Sequence, residues 1–196
     1  FFDADNDGDL DLVITNGVEF PGATVDAPWN ADPMRLWRSA GKGGGFAMTE
    51  VSVAEGLTDT GSGKGLLVFD YDRDGDMDLF VTNYASELNT LYRNEGGLFF
   101  TDVTRTAGLT GQRVLDAVGW GTGFHDLDLD GELDLVVVNG HIVTNFVLWF
   151  LRNFTEAKAD DIPQMRKEAY REGAEQHRWL FLGQGNGRFD DATDGA

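Results

Sequence analysis

One acidic pattern of 14 residues occurs three times in the chain and constrains its fold more than any other feature. The copies are DADNDGDLDLVITN at 3–16, DYDRDGDMDLFVTN at 70–83 and DLDLDGELDLVVVN at 126–139. In each copy, carboxylates occupy alternate positions, a glycine follows, and the pattern ends in an apolar run typical of a β-strand. The chain is therefore predicted to consist of repeated units, each with an acidic loop that leads into a strand.

A second segment follows each acidic loop and extends the repeat. It has an apolar strand start, a glycine-rich turn and a further strand of the form FxDVT, and its copies occupy 36–57, 91–109 and 180–196. Short β-rich runs between glycine turns are typical of antiparallel sheets. Together with the runs that flank each loop, this predicts four short strands per unit. The flanking strands are predicted at 65–69 and 79–82 in the second copy, and at 119–124 and 135–138 in the third.

Four-stranded units in tandem predict an all-β fold built from β-propeller-type blades. About three four-stranded antiparallel units would form an incomplete ring. A β-sandwich is the alternative, but it would not require the same loop at the same place in each unit. Phe1 and Phe2 stand where the other copies have a strand, so we expect the chain to begin within a unit. Residues 1–196 form one propeller fragment, with predicted units at about 1–53, 63–104 and 117–193.

The third unit carries a long insertion at about 141–179. From the first loop aspartate to the aromatic residue of the last strand, the second unit spans 30 residues and the third spans 63. The insertion begins with an aromatic segment and continues with strong helix formers. A helix over about 162–176 is predicted, with Asp160 or Asp161 as its cap, so the insertion is expected to be partly helical.

Each acidic loop has the ligand pattern of a cation site. We number its positions from the first aspartate: the side chains at positions 1, 3, 5 and 9 and the carbonyl at position 7 would surround one ion. The glycine at position 6 permits the sharp turn. Carboxylates this close repel one another unless a divalent cation neutralises them. The candidate metal residues are Asp3, Asp5, Asp7, Asp9 and Asp11; Asp70, Asp72, Asp74, Asp76 and Asp78; and Asp126, Asp128, Asp130, Glu132 and Asp134.

Calcium is the ion that these ligands favour. Hard oxygen ligands in flexible number suit Ca²⁺, whereas Mg²⁺ requires near-octahedral geometry and retains its waters. An EF-hand loop begins identically but needs a glutamate at position 12 and a helix on each side; position 12 is Ile14, Val81 or Val137 here. A single such motif can be an acidic turn without metal, but three copies in register favour a structural role for about three Ca²⁺ ions.

Composition excludes several classes of function. The formal net charge is −19, yet the loops hold 15 of the 34 acidic residues, so the remainder carries 19 acidic against 15 basic residues. No basic surface for nucleic acid is expected. No run approaches the roughly 18 to 20 apolar residues of a membrane span, so no membrane insertion is predicted. The chain has no cysteine, which excludes disulfides, thiolate zinc sites and cysteine nucleophiles.

The DxDxDGxxDL loop with its LYRN, FTDVT and AGL segments resembles the FG-GAP/VCBS repeats of integrin-like β-propellers. More narrowly, the NGH at 139–141 resembles the secreted ASPIC/UnbV and cartilage acidic protein group. The resemblance covers nearly the whole chain. It implies an extracellular or cell-surface protein that binds Ca²⁺ in the loop between the first two strands of each blade, with an adhesion or scaffold role. The chain departs from the pattern in its small number of blades and in the insertion of the third.

The sequence therefore predicts a calcium-binding extracellular module of structural or adhesion type, with an unidentified protein or glycan ligand. No catalytic residue is predicted, because no serine or cysteine elbow, P-loop or HExxH motif is present. Two alternatives remain: the propeller part of a larger secreted enzyme, catalytic or not, and a subunit of an extracellular assembly. Unpaired sheet edges favour packing with further blades or with other subunits.

Overall fold

The computed structural model describes residues 1–15, 18–19, 30–31, 33–41, 47–57, 61–84, 87–110, 118–140 and 178–195. In these ranges the chain forms antiparallel β-strands, one 3-10 turn at Thr193–Gly195 and no α-helix. Within the same part of the chain, no helix is long and apolar enough to cross a membrane. The predicted helix over 162–176 and most of the insertion, 141–177, lie outside the described residues.

The first unit is the least regular. Its strands are β1 (Leu12–Ile14), β2 (Val18–Glu19), β3 (Asn30–Ala31), β4 (Arg35–Ser39) and β5 (Met48–Glu50). Strands β1, β4 and β5 form a three-stranded sheet in that order, and β2 pairs with β3 separately. Phe2 stands where the other units have a first strand and makes an isolated antiparallel bridge with Asp11.

The second and third units are four-stranded meanders. The second contains β6 (Gly65–Phe69), β7 (Asp78–Thr82), β8 (Thr90–Asn94) and β9 (Phe100–Asp102). The third contains β10 (Val118–His125), β11 (Asp134–Gly140), β12 (Trp179–Gly183) and β13 (Phe189–Asp191). In each, the strands lie in chain order and the acidic loop joins the first two. The predicted all-β, propeller-type fold of an open set of blades is thus confirmed. Trp179, placed at the end of the predicted insertion, is the first residue of β12.

Alternate residues of β7 pack against different units, as the two-residue period of a strand requires. Leu79 and Val81 lie in a core shared with the first unit, which contributes Leu36 and Leu57. Phe80 lies in a second core, shared with residues of the third unit that include Leu135, Phe181 and Phe189. The second unit is therefore packed between its neighbours in the manner of a propeller blade, with one core on each face of its sheet.

A turn after the last strand of the first unit contacts the second unit, and the equivalent turn of the second unit contacts the third. The N–H of Phe100 donates to the carbonyl of Glu55 at 2.8 Å, and the N–H of Phe189 donates to that of Ala107 at 2.8 Å. The glycine that follows each acceptor has a φ of +84°. A Cβ at Gly108 would lie 2.6 Å from the carbonyl oxygen of Phe189. The recurring Gly-Leu after the FxDVT strand therefore serves contact between units.

Candidate metal centres

Each acidic loop folds around the carboxylate at position 1. Asp3 accepts hydrogen bonds from the N–H groups of Asp7 at 3.1 Å and Gly8 at 2.9 Å. The second and third loops repeat the contact from the glycine, since Gly75 donates to Asp70 at 3.1 Å and Gly131 donates to Asp126 at 3.0 Å. The glycines at position 6 have φ values of 87°, 96° and 94° in chain order, a backbone conformation that disfavours any residue with a Cβ.

The structure brings together three of the predicted ligands in each loop, those at positions 1, 3 and 9. In every case the candidate oxygens lie within 4.8 Å of one another. Three carboxylates at such separations form a site for a cation, because their mutual repulsion is relieved only by positive charge or by protonation. The three groups are Asp3, Asp5 and Asp11; Asp70, Asp72 and Asp78; and Asp126, Asp128 and Asp134.

The residues at positions 5 and 7 are not members of these groups. The carboxylate at position 5 accepts a hydrogen bond from the backbone N–H at position 7 in all three loops, which closes the turn. Their roles as a ligand side chain and a ligand carbonyl stay predictions. The pairs are Asp7 with Asp9 at 3.0 Å, Asp74 with Asp76 at 2.9 Å, and Asp130 with Glu132 at 2.8 Å.

The aspartate at position 9 has a second role that the motif did not reveal. Asp11, Asp78 and Asp134 have at most 1% exposed surface. One oxygen of each accepts the N–H at position 2 of its own loop, and the other accepts an N–H at the end of the third strand. The strand donors are Ser39 at 2.8 Å, Asn94 at 2.9 Å and Gly183 at 2.9 Å. This carboxylate therefore fastens the loop to the sheet.

Two oxygens of the grouped carboxylates have the chemistry of metal ligands. Asp72 Oδ1 and Asp126 Oδ1 are buried and accept no hydrogen bond. A buried carboxylate oxygen without a partner is costly, whereas hard carboxylate oxygens are the preferred ligands of Ca²⁺ and Mg²⁺. The residues present thus fit the divalent cation that the loop pattern implies.

Burial raises the pKa of three of the loop carboxylates, those of Asp78, Asp72 and Asp5. It raises the pKa of Asp78 to about 7, against the lowering effect of the N–H donors from Asn94 and Tyr71. Burial also raises the pKa of Asp72, and repulsion from Asp74 adds to this effect. The pKa of Asp5 is raised by burial as well, with the Arg38 guanidinium opposing the shift. A bound cation would act in the opposite direction and favour the ionised forms.

The three centres differ in the side chain that the third strand of each unit places beside the acidic loop. Arg38 lies 2.6 Å from Asp5 and 3.8 Å from Asp7 in the first unit. The corresponding Arg93 pairs with Glu95 at 2.6 Å in the second unit. Leu182 occupies this position in the third unit. The third loop therefore has no arginine from its own third strand to balance its charge.

Comparison with known protein families supports the division of the chain into repeated units. The family model described as FG-GAP-like repeat matches the chain twice, over residues 3–81 and 70–137. Each match begins at the first aspartate of one loop and ends at position 12 of the next, so the two together include all three acidic loops. No curated protein matches the chain significantly. The narrower assignment to the ASPIC/UnbV and cartilage acidic protein group stays a prediction.

Proposed function

Because this chain belongs to the FG-GAP-like repeat family, we propose that it is a calcium-binding, non-catalytic module of an extracellular protein with an adhesion or structural role. FG-GAP repeats indicate a propeller-type binding module and are typical of extracellular proteins. Three aspartate groups that can each hold a metal ion match the number of repeat units. Each unit would bind one Ca²⁺ in the loop between its first two strands.

The observation that carries this proposal is the pair of orphaned oxygens, Asp72 Oδ1 and Asp126 Oδ1. Each lies in a group of three carboxylates whose other members are already held in place by backbone N–H donors. The second and third loops are therefore folded around positions at which a carboxylate oxygen is buried without compensation. An ion would supply that compensation and would stabilise the folded state by mass action, since the unfolded chain has no such site.

Calcium is favoured over magnesium by the ligand set. Positions 1, 3 and 9 supply the grouped carboxylates. The side chain predicted as a ligand at position 5 and the carbonyl predicted at position 7 would complete a site from one loop, which would leave little room for the several waters that Mg²⁺ retains. The ligands at position 5 are exposed in all three loops. Exposed sites of this kind suit the dissociation constants of about 10⁻⁴ to 10⁻³ M that characterise calcium sites of extracellular modules.

The partner that this module binds is proposed only by class, as a protein or glycan ligand. In the described part of the chain, the sheet faces of the outer units that point away from the second unit include Ile14, which is 40% exposed in β1, and Val138, which is 47% exposed in β11. We propose that these faces pack with further units of the same kind or with other subunits.

Equilibrium dialysis of the chain against about 10 mM Ca²⁺, at least about ten times the proposed dissociation constants, followed by elemental analysis, tests the proposal. We expect about three bound ions per chain, one for each aspartate group. The double variant Asp72→Asn, Asp74→Asn should lose one ion because it disables the second loop. Asp190→Asn, which removes an exposed carboxylate outside the loops, should keep all three. A parent chain that binds no more Ca²⁺ than buffer would show the proposal to be wrong.

A further inference from the structure

We infer that Asn6 and Arg73, the side chains at position 4 of the first two loops, couple each metal loop to the next. An ion bound in one loop would then strengthen binding in its neighbour. This inference rests on the proposed function, since it concerns the ions that the loops are proposed to hold. It adds that ion binding at one centre affects ion binding at the next.

The first contact joins the first loop to the second. Asn6 Nδ2 donates a hydrogen bond to Asp76 Oδ1 at 2.7 Å and lies 3.5 Å from the carbonyl oxygen of Gly75. Asp76 and Gly75 occupy positions 7 and 6 of the second loop. The contact spans about 70 residues of sequence and exists only because the two units pack side by side.

The second contact repeats this arrangement one unit further on. Arg73 Nη2 donates a hydrogen bond to the carbonyl oxygen of Gly131, and Arg73 Nη1 lies 3.7 Å from Glu132 Oε2. Gly131 and Glu132 again occupy positions 6 and 7, now in the third loop. Asparagine and arginine differ in size and charge, yet both reach the same two acceptors in the next loop. The geometry is therefore a property of the repeat rather than of one side chain.

The backbone conformation at position 4 directs the side chain toward the next unit. Asn6, Arg73 and Leu129 have φ values of 58°, 61° and 64°. Asparagine tolerates this left-handed region, but for arginine and leucine it is uncommon and carries strain. All three loops adopt this left-handed conformation at position 4, so the fold tolerates the strain whichever residue is present. A strained conformation that recurs at one position motivates a functional hypothesis.

The acceptors are well placed to transmit the effect of an ion. Position 7 is the residue whose carbonyl is predicted to bind the ion, and position 6 is the glycine that makes the turn. An ion bound in the second loop would hold Gly75 and Asp76 in place, and these groups are the partners of Asn6. By linkage, the same contact must let the first loop favour binding in the second. The same reciprocity would join the second and third loops through Arg73.

Leu129 provides a natural control at the same loop position. It shares the backbone conformation but has no donor, and its side chain is 86% exposed. Replacing it with alanine changes an exposed residue of the same loop without removing a link to another loop. The pair Arg73→Ala and Leu129→Ala therefore separates loss of coupling from loss of a side chain at position 4.

The glycines at position 6 allow each loop to be followed separately. Gly8, Gly75 and Gly131 donate their N–H groups to the position-1 carboxylates Asp3, Asp70 and Asp126 at 2.9 to 3.1 Å. Ion binding at those carboxylates will change the amide chemical shifts of these glycines. Nuclear magnetic resonance titration of the whole chain with Ca²⁺ thus yields one binding midpoint for each loop.

The decisive measurement is the effect of disabling the second loop on the midpoint of Gly131. In the parent chain, Asp72→Asn with Asp74→Asn should move that midpoint to about fivefold higher Ca²⁺, the lower end of typical coupling between sites. In the Arg73→Ala background, the same two substitutions should move it less than about twofold. Because Arg73→Ala is present on both sides of the second comparison, the effect of losing its charge cancels.

The outcomes separate this inference from the proposed function. Equal shifts of the Gly131 midpoint in the parent and Arg73→Ala backgrounds would overturn the coupling and leave calcium binding intact. Glycine signals that do not respond to Ca²⁺ at all would overturn both. In the Leu129→Ala background, the roughly fivefold shift expected for the parent should remain. The Asn6→Ala variant should weaken the dependence of the Gly8 midpoint on the second loop in the same way.

Discussion

Asp78 Oδ1 accepts the backbone N–H of Asn94 at 2.9 Å, which ties the end of the second acidic loop to the end of β8. Asp78 Oδ2 accepts the N–H of Tyr71 at 2.9 Å, so one buried carboxylate holds both sides of the loop. Asp11 and Asp134 make the equivalent contacts in the other units. The residue that completes each aspartate group is therefore also a structural clip that operates without an ion.

The first prediction concerns this clip. Asp78→Ala should destabilise the chain even in the presence of chelator, because it leaves the buried N–H groups of Tyr71 and Asn94 without acceptors. The expected loss in the free energy of unfolding is about 2 to 4 kcal/mol. Asp74→Ala, which removes an exposed member of the same loop, should cost less than about 1 kcal/mol. Urea denaturation in chelator measures both values, and equal losses would contradict the clip.

The second prediction concerns pH in the absence of metal. The pKa of Asp78 is raised by burial to about 7, whereas the same carboxyl has its ordinary pKa of 3.8 in the unfolded chain. The folded state therefore binds more protons than the unfolded state between these values, and stability falls as pH rises through about 7. In chelator, the melting temperature should be higher at pH 6 than at pH 8.

The control for this pH dependence is Asp78→Ala, in which the difference between pH 6 and pH 8 should be much smaller. In saturating Ca²⁺ the dependence of the parent should also shrink or reverse, because the ion favours the ionised carboxylate and protons compete with it. A parent melting temperature in chelator that rises steadily from pH 6 to pH 8 would contradict the assignment.

The third prediction concerns packing between units. Gly108 and Gly97 both have positive φ, at 84° and 66°, so alanine is strained at either position. They differ in the room available for a Cβ atom. A Cβ at Gly108 would lie 2.6 Å from the Phe189 carbonyl oxygen, whereas one at Gly97 would meet no atom within 4 Å. Gly97→Ala should therefore cost about 1 kcal/mol from backbone strain alone.

Gly108→Ala should cost clearly more, by about 1 to 3 kcal/mol beyond that value, because it also forces the second and third units apart. Chemical denaturation of the two variants under identical conditions measures the difference. If both variants lose the same stability, the turn at 107–109 does not hold the units together as described.

Much of the fold was predictable because its signals are local. The strands at 65–69 and 79–82 coincide with β6 and with all but the first residue of β7, since each is an apolar run bounded by the acidic loop or by turn residues. The aspartate groups were likewise foreseen from spacing alone at positions 1, 3 and 9. The three loops share one sequence motif, so a single pattern was enough to locate all of them.

The rest depends on contacts that no single repeat contains. The bonds from Asn6 and Arg73 reach residues 58 to 70 positions away, and they form only when neighbouring units pack. Arg38 reaches Asp5 across a sheet whose register the motif does not specify. The structural role of Asp78 could have been inferred from the sequence, because the aspartate at position 9 immediately precedes an apolar run in every copy. A charged residue at such a place is expected to be buried with hydrogen-bond partners.

Thermal unfolding of the whole chain shows whether bound ions stabilise these loops. At about 100 times the dissociation constant, each ion contributes about 2.7 kcal/mol. Three ions should therefore raise the melting temperature by at least about 10 °C relative to chelator when Ca²⁺ is at that concentration, which is about 10 to 100 mM for dissociation constants of about 10⁻⁴ to 10⁻³ M. The same concentration of Mg²⁺ should raise it less. Superimposable melting curves in Ca²⁺ and in chelator would contradict the account.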